Sequence, residues 1–308
     1  MRVSIIGSGI VGGRMGEFLA KRHQVTFYDV SEKRIEELRA AGHDATTDLR
    51  HALLNTDLSI VAVPTNTMAG ALDMDPAHLL DVATKSGDIL KEKKGYHVFA
   101  FKSTMVPTTT EKLIIPMLEK RSGKSAHKEF GVVFTPEFLT EIAGSWLTEL
   151  KAHLGPSVEE AFTVTPDKEP RLVIGEGPDA RAGDAVLALL TESFTRKPPV
   201  MRTDYRTSEM IKYASNCALA TRISYWNEIY AVCERLGIDP KSVALEVGRD
   251  PRIGFYGTIA GKAFGGKCLP KDLKALIALS KGIGVEPTVL TAVHDVNERL
   301  RKERGSRE

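Results

Sequence analysis

Val3-Ser4-Ile5-Ile6-Gly7-Ser8-Gly9-Ile10-Val11-Gly12 decides the fold. Val3 to Ile6 reads as a buried strand, and Ile10 to Arg22 carries apolar residues at helical spacing. Between them Gly7 permits a tight turn, Gly9 lets a pyrophosphate approach the backbone, and Gly12 lets helix and strand pack closely. The head of such a helix offers unpaired N–H groups and positive dipole to phosphate. Gln24 to Tyr28 is a second strand, and Asp29 closes it about 20 residues downstream. A carboxylate there accepts ribose hydroxyls and repels a 2′-phosphate, so the cofactor reads as NAD; Lys33 or Arg34 leaves room for NADP.

Outward from this turn the alternation continues. Ser31 caps a helix through Ala41, Asp57 to Val63 is a strand ended by Pro64, and His97 to Phe101 and Phe130 to Phe134 extend the series. The rhythm predicts an α/β fold, a parallel sheet covered by helices on both faces. From Trp146 to Glu169, Gly155, Pro156, Pro166 and Pro170 break the pattern, which predicts a long irregular excursion with one short helix. Arg171 to Gly175 restores a strand, Asp179 to Ser193 a helix, and Pro199 to Met201 a short last strand. Thr207 to Leu236 then runs without Pro or Gly and stops at Gly237, a helix of roughly 45 Å at ~1.5 Å per residue. Such a helix links domains or supplies a dimer seam. Helices at Pro240 to Val247, Lys271 to Lys281 and Pro287 to Lys302 follow. The predicted organisation is a Rossmann-like parallel-sheet domain over residues 1–203, then a long central helix and an all-helical dimerisation domain over 204–308.

Composition bounds the function. A chain of 308 residues suggests two domains. With 42% hydrophobic and 27% charged residues, disorder is excluded as the general state. A net charge of +2 argues against an electrostatically driven nucleic-acid binder. The apolar runs fall short of the ~20 residues that span a bilayer, so no membrane partner is expected. The opening Met-Arg-Val-Ser-Ile-Ile-Gly has no signal-peptide layout, and Cys217, Cys233 and Cys268 form no Cys-x-x-Cys pair. Reduced thiols, a cytoplasmic location and no metal site are the expectation.

Cys268 stands out in Gly265-Gly266-Lys267-Cys268-Leu269-Pro270-Lys271-Asp272. The glycines let the chain bend and a substrate approach the sulfur; two lysines and a following helix head favour the reactive thiolate. Cys217 and Cys233, among apolar residues of the long helix, read as core. Lys212 and Asn216 are four apart and share a helix face, where ammonium and amide can serve one oxyanion. On spacing alone, the same pair reads as an ordinary exposed face.

Together these segments resemble the UDP-glucose/GDP-mannose dehydrogenase family, NAD-dependent nucleotide-sugar 6-dehydrogenases. The resemblance covers nearly the whole chain. Its markers are Gly7 to Gly12, Val63-Pro64-Thr65, Ser103-Thr104, Pro136-Glu137-Phe138-Leu139-Thr140-Glu141, Glu209-Met210-Ile211-Lys212-Tyr213 with Asn216, Asp250-Pro251-Arg252-Ile253-Gly254, and Gly265 to Asp272. It implies that Cys268 is the nucleophile in two successive oxidations, through a thiohemiacetal and a thioester. Lys212 and Asn216 would steady the oxyanion, Asp272 and Thr104 hold a water, and Glu137 activate the water that hydrolyses the thioester. NAD would lie against Gly7, Gly9, Ile10, Val11, Gly12, Asp29, Lys33, Pro64, Thr65, Thr104, Glu141 and Lys271. The nucleotide sugar would meet Glu137, Phe138, Leu139, Lys212, Asn216, Arg252, Phe264 and Gly265, with Phe264 and Gly265 facing the sugar and Arg252 reaching it across a homodimer built on the long helix.

The chain departs from the family pattern in three places. Asn66 stands where the family has Pro, and Ser103-Thr104-Met105-Val106-Pro107-Thr108-Thr109-Thr110 replaces Ser-Thr-Val-Pro-x-Gly-Thr. The stretch from Trp146 to Glu169 is longer than usual. Family members also carry a C-terminal α/β domain that holds the nucleotide, and these residues end just after the helix leading into it. The resemblance therefore leaves three readings: a shortened but competent dehydrogenase, alone or with a separate chain supplying that lobe; a non-catalytic or partner-dependent NAD-binding module; or a 3-hydroxy-acid dehydrogenase with one oxidation and no cysteine. Which sugar is oxidised is not legible.

Overall fold

A computed structural model of the chain describes residues 1–68, 74–139, 148, 151–152, 155 and 164–306. The chain divides into two units, and the sheet lies wholly in the first, built from Met1–Asn66, Asp75–Leu139 and Thr165–Lys212. Its strands are β1 (Arg2–Ile6), β2 (Gln24–Tyr28), β3 (Asp44–Thr46), β4 (Leu58–Val61), β5 (His97–Phe101), β6 (Phe130–Phe134), β7 (Leu172–Glu176) and β8 (Val200–Thr203). They are ordered β8-β7-β6-β5-β4-β1-β2-β3. Helices α1 (Ile10–Ala20), α2 (Glu32–Ala40), α3 (Leu49–Leu54), α4 (Ala77–Leu90), α5 (Ile115–Ser122) and α6 (Arg181–Ser193) connect or cover them.

From β3 to β6 every neighbouring pair is parallel. Beyond that the sheet turns mixed: β7 runs antiparallel to β6, with Val133 opposite Glu176 and Phe134 opposite Gly175, and β8 is parallel to β7. A parallel neighbour needs a crossover to the far end of the sheet, whereas an antiparallel one starts where its partner stopped. The reversal follows the stretch that the sequence reads as irregular.

Register puts alternate residues on opposite faces. Val3, Ile5, Ile60, Val98, Ala100, Val133 and Ile174 join Met15, Leu19, Ile35, Leu38, Val186 and Leu190 of α1, α2 and α6 in one buried core. Ser31 accepts from the Arg34 N–H at the head of α2, the cap expected from its place in the sequence. Close approach of α1 to the sheet depends on glycine. A Cβ on Gly12 would lie 1.9 Å from the Gly7 carbonyl oxygen, and one on Gly16 2.2 Å from Cε1 of Phe27.

The long helix, α7, runs from Tyr205 to Leu236, starting two residues before the Thr207 read from the sequence. Its opening belongs to the sheet unit. The Tyr205 hydroxyl donates to the Val132 carbonyl at 2.8 Å, and Gly175 leaves room for Ser208, whose Oγ would lie 1.8 Å from a Cβ there. The second unit includes the rest of α7 together with α8 (Pro240–Gly248), α9 (Leu269–Gly282) and α10 (Thr288–Arg304). Its core joins Cys217, Ala220 and Ile223 to Phe264, Leu273, Ile277 and Val293. Burial pushes the Cys217 thiol up to about 12, with Asp272 adding to the effect, as suits a core thiol.

Candidate active site

The carboxyl ends of β1, β2, β4, β5 and β6 carry most of the residues singled out from the sheet unit. Ligands of open α/β sheets bind at this edge, where successive connections leave on opposite sides. At the end of β1, Gly7 has φ +91°, a conformation that side chains rarely adopt. Gly9 is the N-cap of α1 and has no side chain to cap it; a Cβ there meets nothing within 4 Å. That open cradle over a helix head fits the pyrophosphate of NAD. Ile10 is exposed, Val11 half-buried and Gly12 buried against the turn. Gly9→Ala is therefore expected to keep the thermal midpoint of the wild type while weakening NAD at least tenfold by calorimetric titration. An unchanged affinity would remove the turn from the cofactor site.

Asp29 shapes the same cradle. One carboxylate oxygen accepts from the Ser8 N–H at 2.8 Å and the other from the Ser31 N–H at 3.0 Å, which aims the group while each oxygen keeps a lone pair for a ribose hydroxyl. Lys33 is exposed, and it is Arg34 that reaches the turn, donating from Nε to the Ser8 carbonyl at 2.8 Å. After β4, Pro64 is exposed and Thr65 buried. After β5, Ser103 donates to the Val63 carbonyl at 2.7 Å, tying the two strand ends together beside half-buried Thr104. Glu141, with Thr140, lies outside the described residues.

Lys212 is 3% exposed and Glu137 7%, so the solvated-face reading of the Lys212 position gives way to burial. The Lys212 ammonium donates to the Glu137 carbonyl at 2.6 Å and to its Oε1 at 3.3 Å. Glu137 Oε2 accepts from the Leu139 N–H at 2.7 Å. Half-buried Phe138 presents its ring to Lys212 Nζ, 5.5 Å from the centroid, and to the Arg171 guanidinium at 4.1 Å. A buried ammonium beside a buried carboxylate is stable only while both remain.

One turn before Lys212, Glu209 is fully buried and accepts from the Thr108 N–H at 2.7 Å, the Thr110 N–H at 2.9 Å and the Thr110 hydroxyl at 2.6 Å. Thr108 holds φ +84°, at the position where the family pattern has glycine. Glu209 clamps this unusual backbone. Burial pushes its carboxyl up to about 7 against the three donors. Because the folded state holds the proton more tightly than the unfolded chain, stability falls as pH rises from about 4.5 to 7, by at most about 3 kcal/mol for this one group. Urea denaturation across that window should show the fall in the wild type and a flatter profile in Glu209→Gln; parallel profiles would mean the carboxyl titrates as an ordinary glutamate.

In the second unit Cys268 is exposed and forms the N-cap of α9. Asp272, fully buried one turn into α9, accepts from Asn216 Nδ2 at 2.5 Å and from Lys271 Nζ at 2.5 Å. Asn216 is 7% exposed, so the solvated-face reading fails for it too. Its amide donates to Asp272, while the Lys212 ammonium donates to Glu137. Phe264 is buried. Its ring joins the helical core, and its backbone exchanges hydrogen bonds with the Asn297 side chain at 2.8 and 3.1 Å. Half-buried Gly265 follows it, and Arg252 is exposed and paired with Asp250 at 2.6 Å.

Three buried charged groups have no role in the sequence reading: Lys102, Glu169 and Glu209. Lys102 is 1% exposed and directly follows the wholly buried β5. A lysine at the end of an apolar strand was the available signal. Glu209 sits three residues before Lys212 on one helix face, a spacing that also offered a hint. Glu169 carried none. Among the described residues no helix is long and apolar enough to cross a membrane.

The UDP-glucose/GDP-mannose dehydrogenase family matches twice, through its NAD binding domain over residues 40–152 and its central domain over residues 206–299. The UDP-glucose 6-dehydrogenase of Haloferax volcanii is 34% identical over 321 residues, covering 97% of this chain and 70% of its own length. The GDP-mannose 6-dehydrogenase of Pseudomonas syringae pv. syringae is 33% identical over 317 residues, covering 95% of this chain and 67% of its own. Among solved structures, a UDP-glucose dehydrogenase from Pyrobaculum islandicum superposes with a TM-score of 0.84 at 31% identity, over 98% of this chain and 68% of that one. Glycine turn, acidic second-strand end and both matched domains agree: the chain belongs to the UDP-glucose/GDP-mannose dehydrogenase family of NAD-dependent oxidoreductases.

Proposed function

We propose that this chain oxidises the C6 primary alcohol of a nucleotide sugar of the UDP-glucose or GDP-mannose type to the carboxylate, with Cys268 as nucleophile. The observation that carries the reading is the exposed Cys268 at the head of α9, in a loop whose glycines admit a substrate. The names of the relatives, UDP-glucose and GDP-mannose 6-dehydrogenases, support the substrate class. The Gly7–Gly12 turn and Asp29 would hold NAD, which would supply the hydride acceptor for both oxidations at C6.

Between the oxidations the Cys268 thiolate bonds to the aldehyde carbon, and the carbonyl oxygen takes a proton, giving a thiohemiacetal that keeps the intermediate from escaping. The second oxidation leaves a thioester. Glu137 takes a proton from water, the water oxygen bonds to the acyl carbon, and the carbon–sulfur bond breaks to return the thiolate. Lys212, on a rigid helix, supplies positive charge for the oxygen that turns anionic at each tetrahedral stage. The Asn216 amide donates to Asp272 one turn after Cys268, and in the roles that the family resemblance implies Asn216 steadies the oxyanion with Lys212, Asp272 and Thr104 hold a water, and Arg252 reaches the substrate.

A homodimer through α7 belongs to the same reading. Tyr225, Val232 and Leu236 are exposed and spaced seven and four residues apart, so they form an apolar stripe on one face. The deciding experiment supplies NAD and a panel of nucleotide sugars and counts NADH per sugar consumed. Two per sugar, with a hydroxylamine-trappable acyl group on the protein, is the expected result. One per sugar, insensitive to thiol alkylation, would replace this reading with a single oxidation of the 3-hydroxy-acid dehydrogenase kind.

A further inference from the structure

Four buried charges grip one short run of backbone. Lys102 Nζ donates to the carbonyls of Thr135 at 3.3 Å and Pro136 at 3.5 Å, and Lys212 Nζ to that of Glu137 at 2.6 Å. From the other side, the Phe138 N–H donates to Glu169 Oε1 at 3.3 Å and the Leu139 N–H to Glu137 Oε2 at 2.7 Å. All four side chains belong to residues between 1% and 7% exposed. Two ammoniums and two carboxylates therefore balance in a space where an uncompensated charge is costly. Three of the four belong to the segments that mark the family or adjoin them. Glu169 does not; it lies at the end of the stretch where this chain departs from the pattern, just before Pro170 and β7.

We propose that Glu169 is a positioning residue of the proposed reaction, tethering the Phe138 amide and balancing Lys102 and Lys212 so that the Glu137 carboxylate is held in place to activate water. The inference deepens the reading of Glu137 as base and rests on it. The tether fixes the residue next to Glu137, while Lys212 and Leu139 fix Glu137 itself. The groups that face Glu169 are Lys102 from the end of β5, Glu137 from the segment after β6, and Lys212 from α7; Arg171, on the same segment, lies over the Phe138 ring. Burial pushes the Glu169 carboxyl up, Lys102 and the Phe138 N–H oppose this, Glu137 adds to it, and Lys212 opposes. An ionised Glu169 adds negative charge beside the base and makes it a better proton acceptor. Removing that charge favours the ionised base and weakens it.

The test separates tether from charge with two variants. Hydrogen exchange at the Phe138 amide should quicken about tenfold or more in Glu169→Ala, which loses the acceptor, and stay slow in Glu169→Gln, which keeps one. In Glu169→Gln the acid limb of the kcat profile for thioester hydrolysis should move to lower pH, by up to about one unit, with kcat reduced and KM within about twofold. Glu169→Asp, which restores the charge, should return the limb towards its original place. If Glu169→Gln proves too unstable, the double variant Lys102→Met/Glu169→Gln removes one charge of each sign and carries the same expectation for Phe138 exchange.

Unchanged exchange in Glu169→Ala overturns the proposal whatever the activity does. Altered exchange with superimposable pH profiles leaves Glu169 structural and equally overturns it. The underlying reading has its own readout: two NADH per sugar and a trappable acyl group in the wild type keep it standing when the proposal fails, and their absence sinks it while the exchange result still reports on the tether.

Discussion

Cys268→Ala is expected to abolish net formation of the uronate, by at least about a thousandfold, without disturbing the fold. The side chain is exposed, so its loss should change stability by no more than about 0.5 kcal/mol. The expected collapse is chemical. Without the sulfur, the aldehyde has no covalent anchor between its two oxidations, and no thioester forms for water to open. NAD affinity should match the wild type, because the glycine turn and Asp29 lie elsewhere in the chain. Stopped-flow NADH formation together with uronate analysis checks this. Turnover within tenfold of the wild type would show that the thiol is not the nucleophile.

Lys212→Ala should damage both stability and turnover. Removing the ammonium strands the Glu137 carboxylate in a site where it is 7% exposed, at a cost of about 3–5 kcal/mol. The same loss removes the positive charge proposed for the anionic oxygen, expected at about 100- to 1,000-fold in kcat. The two effects can be pulled apart. Lys212→Met/Glu137→Gln leaves neither charge buried alone, so it should regain most of the stability and none of the activity. Lys212→Arg should rescue poorly, since a planar fork does not replace a compact ammonium directed at one carbonyl. Denaturant midpoints and kcat for the three variants decide the matter; a Lys212→Ala protein as stable as the wild type would contradict the buried pair.

Legibility of the site followed sequence separation. The glycine turn, Asp29 and the Cys268 loop drew attention in the sequence because their signals lie in neighbouring residues at fixed spacing. The Glu137 contact with Lys212 joins residues 75 apart, and the Glu209 clamp joins residues about 100 apart. Neither spacing carries a local signal. Lys212 and Asn216 show the limit most clearly: their spacing of four, read alone, described a solvated face, and only packing revealed two buried side chains serving two different carboxylates. Phe264, which the family resemblance places in the loop facing the sugar, shows the same limit, since only packing puts its ring in the helical core.

Hydrophobic periodicity and turn chemistry were enough to set the order of strands and helices in the first unit, the dinucleotide turn and the continuous α7. These are short-range properties, decided by steric and dihedral preferences within a few residues. The reversal at β7, the grip of Lys102, Lys212, Glu137 and Glu169 on one backbone run, and the burial of Glu209 were decided by tertiary structure. Desolvation is the reason: a charge finds its partner only when the folded chain withdraws both from water, and no local pattern says which distant residue will be there.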